Sequence, residues 1–446
     1  MKKITTLSFL FLLLTFVLSS PSLNAQLPDK VLVGYWHNWG FLRINALDPR
    51  YNVIMLSFLE ADKNFNSQDN VVGDLEFTPS QSRTTIKSDI AEVQARGKKV
   101  LISIGGANGS FKLNSEADKN TFVTKVKDFI NEYRVDGIDL DLEQKVYVQM
   151  KQSEGNILVP SAPVQYLIDG VKELLTWYQS TFGRKMLLTT APETWYVQGG
   201  LSSYAGPTGT EPGGSWLPVL EALRNDFDLV MVQLYNSGGI LDLNGVERYQ
   251  GTTTFIVALT EALIRGFNHA KGWGYFNGIP ASKVCVALPA CTGAAGGGFI
   301  NSTDMIAAVK YLMGTGPKVG DYTLKKSGGY PDLAGIMTWS IDNDYRTDCG
   351  SRYSFADAAD QVIGPISNEN IKANTSLELV PNPSDGRVQV KRNKSESAVL
   401  SVFNQIGIEV FRQTAGASNV DLDLSSLPAG IYIVRVDGAS KKLVIQ

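Results

Sequence analysis

Eight short apolar segments of the 446-residue chain alternate with helical patterns, and this alternation constrains the fold more than any other feature. Strands that alternate with helices form parallel βα units, and eight such units close naturally into a barrel. We therefore predict an α/β fold, a (β/α)8 TIM barrel, over residues 26–364. The predicted strands are Val31–His37, Val53–Glu60, Lys99–Gly106, Gly137–Glu143, Lys185–Glu193, Asp228–Asn236, Lys283–Ala290 and Ala334–Asp342. The predicted helices include Arg83–Arg96, Asn120–Tyr133, Val164–Ser180, Thr252–Phe267 and Thr303–Met313. An open doubly wound sheet is the competing architecture, but no Gly-rich dinucleotide-binding motif follows the first strand.

The pattern changes after Gly364. Residues 365–376 are short and polar, which predicts a linker, and strand-like segments without helices follow. Short strands separated by turn signals, such as Asn382-Pro383 and Asp385-Gly386, are typical of a small β-sandwich. We therefore predict a separate all-β domain over residues 377–446.

The first 25 residues have the pattern of a secretory signal peptide. Lys2 and Lys3 precede the apolar run Leu7–Leu18, and small and polar residues follow up to Ala25. The run is shorter than the ~20 apolar residues that a membrane span requires. We therefore expect cleavage after Ala25 and a secreted protein.

The charge balance and the histidine count exclude other classes of partner. Lys and Arg number 41 against 44 Asp and Glu, so no basic excess favours nucleic acid or an anionic membrane. Two histidines are too few for a His-based zinc site, and we expect neither metal nor cofactor. An exported protein can keep a disulfide, so Cys291 and Cys349 could pair, although three unpaired cysteines remain an alternative.

The fourth predicted strand carries an acidic motif, Asp136-Gly137-Ile138-Asp139-Leu140-Asp141-Leu142-Glu143. Because side chains alternate along a strand, Asp139, Asp141 and Glu143 share one face. The apolar residues between them suit the layer that faces the helices, so the acids point into the barrel. Neighbouring carboxylates in a poorly hydrated interior cannot all ionise, so at least one keeps its proton. Glu143 lies at the carboxyl end of the strand, where barrel active sites lie, which predicts a general acid.

Five segments together resemble glycoside hydrolase family 18, the chitinases, over about Val31 to Gly364. They are Asp136–Glu143, Lys99–Gly106, Thr190–Glu193, Val232–Asn236 and Met337–Ser340, each on its expected strand. The resemblance implies substrate-assisted retaining hydrolysis, in which the 2-acetamido group of the sugar is the nucleophile. It also implies that Glu143 is the acid and base, Asp141 stabilises the acetamido nitrogen, Asp139 positions Asp141, and Tyr235 orients the acetamido oxygen.

Further substrate-binding candidates lie near the carboxyl ends of other predicted strands. Trp339 is expected to form the floor under the reacting sugar, and Gln233 and Met231 share a face with Tyr235. The complete set of substrate-binding candidates is Gln233, Asn236, Met231, Trp339, Tyr35, Trp36 and Gly106. The Gly-rich segment Gly293–Gly298 lacks the Lys-Ser/Thr of a phosphate-binding loop, which favours a mobile loop over the cleft.

The C-terminal segment from Leu377 to Gln446 resembles the type A sorting domain of the type IX secretion system. The resemblance rests on Leu379–Ser384, Leu427–Val434 and Lys441–Gln446. It implies that the outer-membrane secretion machinery is a partner. A carbohydrate-binding module is the alternative, but no row of exposed aromatic residues follows these strands.

The sequence thus predicts a secreted, monomeric chitinase that acts on chitin or chito-oligosaccharides. An endo-β-N-acetylglucosaminidase acting on N-glycan cores shares the expected fold and mechanism. A chitin-binding lectin without turnover is a third possibility, although such proteins lack the terminal acid that this chain keeps at Glu143.

Overall fold

The computed structural model describes residues 27–61, 70–143, 155–204, 213–364, 377–392, 398–404, 409–436 and 439–446. The predicted signal peptide and the predicted linker lie outside these residues, so their boundaries stay predictions. No helix within the described ranges has the length and apolar character that crossing a bilayer requires.

Eight parallel strands form the first domain, as the sequence predicts. They are β1 (Val31–His37), β2 (Val53–Leu59), β3 (Lys99–Gly106), β4 (Gly137–Leu142), β5 (Leu187–Thr190), β6 (Leu229–Val230), β7 (Cys285–Pro289) and β8 (Gly335–Trp339). The hydrogen-bonded order is β7-β8-β1-β2-β3-β4-β5-β6. Bridges from Val230 to Val284 and from Gln233 to Ala287 join the two ends of this order and close the barrel.

Within the described ranges, eight helices accompany the strands, and side-chain caps mark where several of them begin. They are α1 (Arg83–Ala95), α2 (Glu116–Tyr133), α3 (Ala162–Phe182), α4 (Leu217–Ala222), α5 (Thr253–Arg265), α6 (Ser302–Leu312), α7 (Ile341–Tyr345) and α8 (Ser354–Ile363). Ser115 accepts the backbone N–H of Asp118. Because this cap satisfies a free N–H of the first turn, α2 begins four residues before the predicted Asn120.

The barrel has two apolar layers that follow the alternation of its strands. On β4, Ile138, Leu140 and Leu142 pack outward into the core shared with the helices. A smaller cluster, which includes Val33, Met55 and Met231, fills the interior. The inward positions of β4 are instead acidic, so this strand directs charged groups into an otherwise apolar space.

A disulfide joins Cys291, which follows β7, to Cys349, which follows α7. Cys285 is a free, buried cysteine on β7. This result selects one of the alternatives that the sequence left open.

The described residues of the C-terminal domain form seven antiparallel strands in two sheets around one core. The strands are β9 (Glu378–Val380), β10 (Arg387–Lys391), β11 (Ala398–Phe403), β12 (Glu409–Ala415), β13 (Asn419–Asp423), β14 (Gly430–Val436) and β15 (Ala439–Ile445). One sheet has the order β9-β10-β13 and the other β12-β11-β14-β15. Val390, Leu422, Val434 and Leu443 contribute to the shared core from both sheets, which confirms the predicted β-sandwich.

We expect Leu140→Ala to lower the free energy of unfolding by about 2–5 kcal/mol, because it leaves a cavity between β4 and the helices. The exposed Lys172→Ala on α3 is the control and should change it by no more than about 0.5 kcal/mol. Chemical denaturation measures both values. Similar values for the two variants would contradict the proposed outer core.

Candidate active site

A cavity of about 470 Å³ opens among the carboxyl ends of the barrel strands. This volume lies within the range of small-molecule sites, about 300–1,000 Å³. The residues that line it are Asn38, Trp39, Phe58, Glu60, Thr78, Ala107, Asn108, Asp141, Glu143, Gln233, Tyr235, Asn236 and Trp339. Of the three acids that share the inward face, Asp141 and Glu143 therefore face the cavity.

Asp139 lies beneath the cavity and is fixed by three hydroxyl groups. Its carboxylate accepts hydrogen bonds from Tyr35 at 2.7 Å, from Ser103 at 2.7 Å and from Thr189 at 2.6 Å. These donors come from β1, β3 and β5, so they cross the barrel interior. Burial raises the pKa of Asp139, while the three hydrogen bonds act in the opposite direction.

Gln233 connects the two acids that face the cavity. Its side-chain nitrogen lies 3.0 Å from Oδ1 of Asp141 and 2.9 Å from Oε1 of Glu143. It also lies 3.0 Å from the carbonyl oxygen of Ala191. The backbone N–H of Glu143 donates to the hydroxyl of Ser110 at 2.8 Å, which fixes the chain at the end of β4.

Asp141 and Glu143 both have raised pKa values. Burial raises the pKa of Asp141 well above its usual range, and the charges of Glu143 and Asp139 raise it further. Burial likewise raises the pKa of Glu143 to about 7, against the effect of its hydrogen bonds with Gln233 and Asp141. The pair therefore retains a proton at neutral pH, which leaving-group protonation requires.

Tyr235 completes the polar wall. Burial, followed by the charge of Asp141, raises the pKa of its phenol well above the usual value, so the hydroxyl stays protonated. Its hydroxyl has no hydrogen-bond partner within the part of the chain that the structure describes. Asn236 follows with φ at 55°, a left-handed backbone conformation that residues other than glycine adopt uncommonly. Both residues lie beyond β6, on a stretch that continues its direction through the bridge at Gln233.

Aromatic rings form the floor and one side of the cavity. Trp339 stacks on Phe58, with ring centroids 5.7 Å apart and an interplanar angle of 19°. Trp39 is 52% exposed and stacks on His37 at 4.3 Å. Broad, parallel ring faces of this kind suit contact with the apolar faces of a sugar.

Three other predicted candidates lie below or beside the cavity rather than in its lining. Tyr35 is buried and binds Asp139. Met231 is fully buried in the interior cluster. Gly106 has φ at 76°, and a Cβ there would come within 2.8 Å of the Phe58 ring, so it supports the aromatic floor.

The assignment of Trp36 to substrate binding requires correction. Alternation along β1 directs Tyr35 inward and Trp36 outward. Trp36 is fully buried in the core shared with the helices, and its indole N–H donates to the carbonyl of Leu42 at 2.9 Å. It is thus part of the packing between strand and helix.

Sequence reasoning missed several lining residues. Strict alternation would turn Phe58 outward, but the β2–β3 register shifts between Ser57 and Leu59, and Phe58 joins the interior cluster. Asn38, Thr78 and Asn108 lie outside the predicted strands, where no periodicity indicates a direction, and Glu60 ends the predicted second strand but lies just after β2. Trp39, an aromatic residue two positions after β1, was the one available signal in the sequence.

No group of three or more acidic, histidine or cysteine side chains is arranged to hold a metal ion within the described ranges.

Comparison with known proteins agrees with this geometry. Residues 31–311 match the sequence model of Glycosyl hydrolases family 18. Residues 378–446 match that of the Secretion system C-terminal sorting domain. The crystal structure of a family GH18 chitinase from Chromobacterium violaceum superposes with a TM-score of 0.62 at 29% identity, covering 77% of this chain and 85% of that one.

Curated relatives include three proteins named as chitinases. One from Paenibacillus xylanexedens is 39% identical over 77% of this chain and 63% of its own length. Chitinase D from Niallia circulans is 39% identical over 72% of this chain and 59% of its own length. Chitinase ChiA from Flavobacterium johnsoniae is 34% identical over 85% of this chain but 25% of its own length. The chain thus spans less than two thirds of each of these relatives, and its residues 31–311 place it in glycosyl hydrolase family 18.

Proposed function

We propose that this protein is a chitinase that hydrolyses β-1,4 bonds between N-acetylglucosamine units with retention of configuration. One observation carries the proposal: a proton-retaining pair, Asp141 and Glu143, faces a sugar-sized cavity beside Tyr235 and above the face of Trp339. The chitinases among the relatives support the same activity.

In the first step Glu143 donates its proton to the glycosidic oxygen. The bond from the anomeric carbon to that oxygen breaks, and the shortened sugar chain leaves as an alcohol. The acetamido carbonyl oxygen of the same sugar forms a bond to the anomeric carbon from the opposite face, giving a cyclic oxazolinium ion. No carboxylate nucleophile is required, which distinguishes this route from the two-carboxylate retaining mechanism.

Asp141 and Tyr235 bind the acetamido group as it reacts. Asp141 shares its own proton with Asp139, so that it can accept the acetamido N–H and stabilise the positive charge on nitrogen. Tyr235 donates its free hydroxyl to the acetamido oxygen and holds it toward the anomeric carbon. Asp139, fixed by three hydroxyls, supports Asp141 from below. Orientation of this kind is worth several kcal/mol of the barrier.

In the second step the Glu143 carboxylate takes a proton from water. As it loses this proton, the water oxygen attacks the anomeric carbon and breaks the bond from that carbon to the acetamido oxygen. Glu143 is protonated again, and the acetamido group is restored. Two inversions at one carbon give net retention.

The matched C-terminal domain supports export as part of the proposed function. We assign residues 377–446 as an address read by the outer-membrane secretion machinery, after a signal peptide at 1–25 directs export from the cytoplasm. Residues 26–364 then act outside the cell as a monomeric catalytic domain, joined by the linker 365–376.

We expect Glu143→Gln to lower kcat on a hexamer of N-acetylglucosamine by about 100- to 10,000-fold, because the amide cannot donate a proton. Binding of the hexamer, measured by calorimetry, should be retained.

Glu116→Gln, a substitution of an exposed acid on α2, is the control and should leave kcat unchanged. Wild-type cleavage of a high-mannose glycoprotein but not of the hexamer would instead favour an endo-β-N-acetylglucosaminidase. Turnover unchanged in Glu143→Gln would refute the assigned role.

The pH dependence should follow the protonation of Glu143. Since the acid must be protonated and its pKa is about 7, kcat/KM should fall as the pH rises through about 7. The Gln233 hydrogen bond lowers this pKa, so Gln233→Met should move the basic limb to higher pH. If the basic limb of the kcat/KM profile stays in place or moves to lower pH in Gln233→Met, the Gln233 hydrogen bond does not lower the pKa of Glu143.

Trp36 and Trp39 should separate stability from binding. Trp36→Phe should lower the melting temperature and leave kcat/KM of the folded enzyme near the wild-type value, because this ring packs away from the cavity. Trp39→Ala should do the reverse, with a raised KM for the hexamer and little change in melting temperature. Thermal unfolding measures the melting temperatures, and steady-state kinetics measures KM and kcat/KM. A raised KM in Trp36→Phe without a change in melting temperature would show that Trp36 binds substrate after all.

A further inference from the structure

The glycine-rich loop Gly293–Gly298 follows β7 and packs against Tyr235 and Asn236, and none of its residues lines the cavity. A Cβ on Gly298 would lie 2.6 Å from both Cα and Cβ of Tyr235, and its φ is 95°. No ordinary side chain fits this contact or this backbone conformation. The backbone of Tyr235 therefore rests directly on the backbone of the loop.

The same loop supports the next residue along the chain. The backbone N–H of Asn236 donates to the carbonyl of Gly297 at 3.2 Å. A Cβ on Gly296 would approach Oδ1 of Asn236 to 3.2 Å. Because a left-handed Asn persists only where its surroundings hold it, this contact helps to fix the turn that follows Tyr235.

The start of the loop is attached to the floor of the cavity. The N–H of Ala290 donates to the carbonyl of Trp339 at 2.8 Å. The next residue, Cys291, forms the disulfide with Cys349, which follows the short helix α7 after β8. The loop thus joins two parts of the site, Trp339 at one end and Tyr235 at the other.

We propose that the segment Gly296–Gly298, clamped by the Cys291–Cys349 disulfide, is a positioning element for catalysis that holds the Tyr235 hydroxyl in place relative to Trp339 and the acids. The inference rests on the proposed function and deepens it. None of the residues Gly296–Gly298 lines the cavity. Their effect is exerted through the backbone of Tyr235 and Asn236.

The energetic reason is the strict geometry of an internal nucleophile. The acetamido oxygen must lie close to the anomeric carbon and in line with the breaking bond, and a 1 Å error costs about 100-fold in rate. Tyr235 lies outside the regular ladder of β6, which ends at Val230. The loop supplies the support that a regular neighbouring strand would otherwise give.

Two glycines of this loop provide a matched test. Gly298→Ala should lower kcat on the hexamer by about 10- to 100-fold, with a smaller change in KM, because Tyr235 is displaced. The pH of the basic limb should not move, since Glu143 is held from β4 and Gln233. Gly293→Ala has open space around its Cβ and no positive φ, and it should retain wild-type kcat. Rates are normalised to the folded fraction by near-ultraviolet circular dichroism.

The clamp is tested independently with the cysteines. The double variant Cys291→Ser with Cys349→Ser should lower kcat several-fold at temperatures well below its melting point, again without moving the basic limb. Cys285→Ala, which removes the free buried cysteine, is the control and should keep wild-type kcat.

Equal kcat for Gly298→Ala and Gly293→Ala, or for the double serine variant and Cys285→Ala, would overturn the proposal. Either result would leave the proposed chitinase activity standing if the wild-type enzyme cleaves the hexamer. An inactive wild-type enzyme would instead refute the proposed function itself.

Discussion

The crowding of three carboxyl groups, two buried on β4 and one directly after it, is the constraint on which the rest of this site depends. Asp139 and Asp141 lie in the barrel interior, and Glu143 lies at its mouth. Ionising all of them in that space is costly, so hydrogen bonds and retained protons must compensate. The hydroxyls of Tyr35, Ser103 and Thr189 satisfy the deepest acid, and Gln233 satisfies the outer two. This arrangement leaves a proton on Glu143, which faces the cavity.

The barrel makes this arrangement possible because the carboxyl ends of its parallel strands meet at the same end. β4 supplies the acids, the continuation of β6 supplies Gln233 and Tyr235, and β8 supplies Trp339. The outer layer of Ile138, Leu140 and Leu142 anchors β4 against the helices. Packing on one face of the strand therefore fixes the position of charged groups on the other. The loop after β7 then secures the part of the wall that lies beyond the regular sheet.

Much of the fold follows from sequence because strands and helices carry strong periodic signals. Each of the eight predicted barrel strands overlaps an observed one, and the alternation in Asp136–Glu143 correctly separates the acids from the apolar face. The predicted ends of β5 and β6 extend too far, since an apolar run continues after the ladder has ended. Phe58 was missed because a register shift reverses the alternation at one residue. Trp36 was misplaced because aromatic character alone does not indicate which face a residue occupies. Asn38, Thr78 and Asn108 lie in loops, where only three-dimensional packing determines direction.

The central claim is that Glu143 holds a transferable proton near neutral pH. Titration of the free enzyme, with the side-chain carboxyl carbon of glutamate labelled with carbon-13 and assigned by comparison with Glu143→Gln, measures this directly. We expect the Glu143 resonance to titrate near pH 7. Titration near pH 4.5, the usual value for an exposed glutamate, would show that Glu143 holds no such proton.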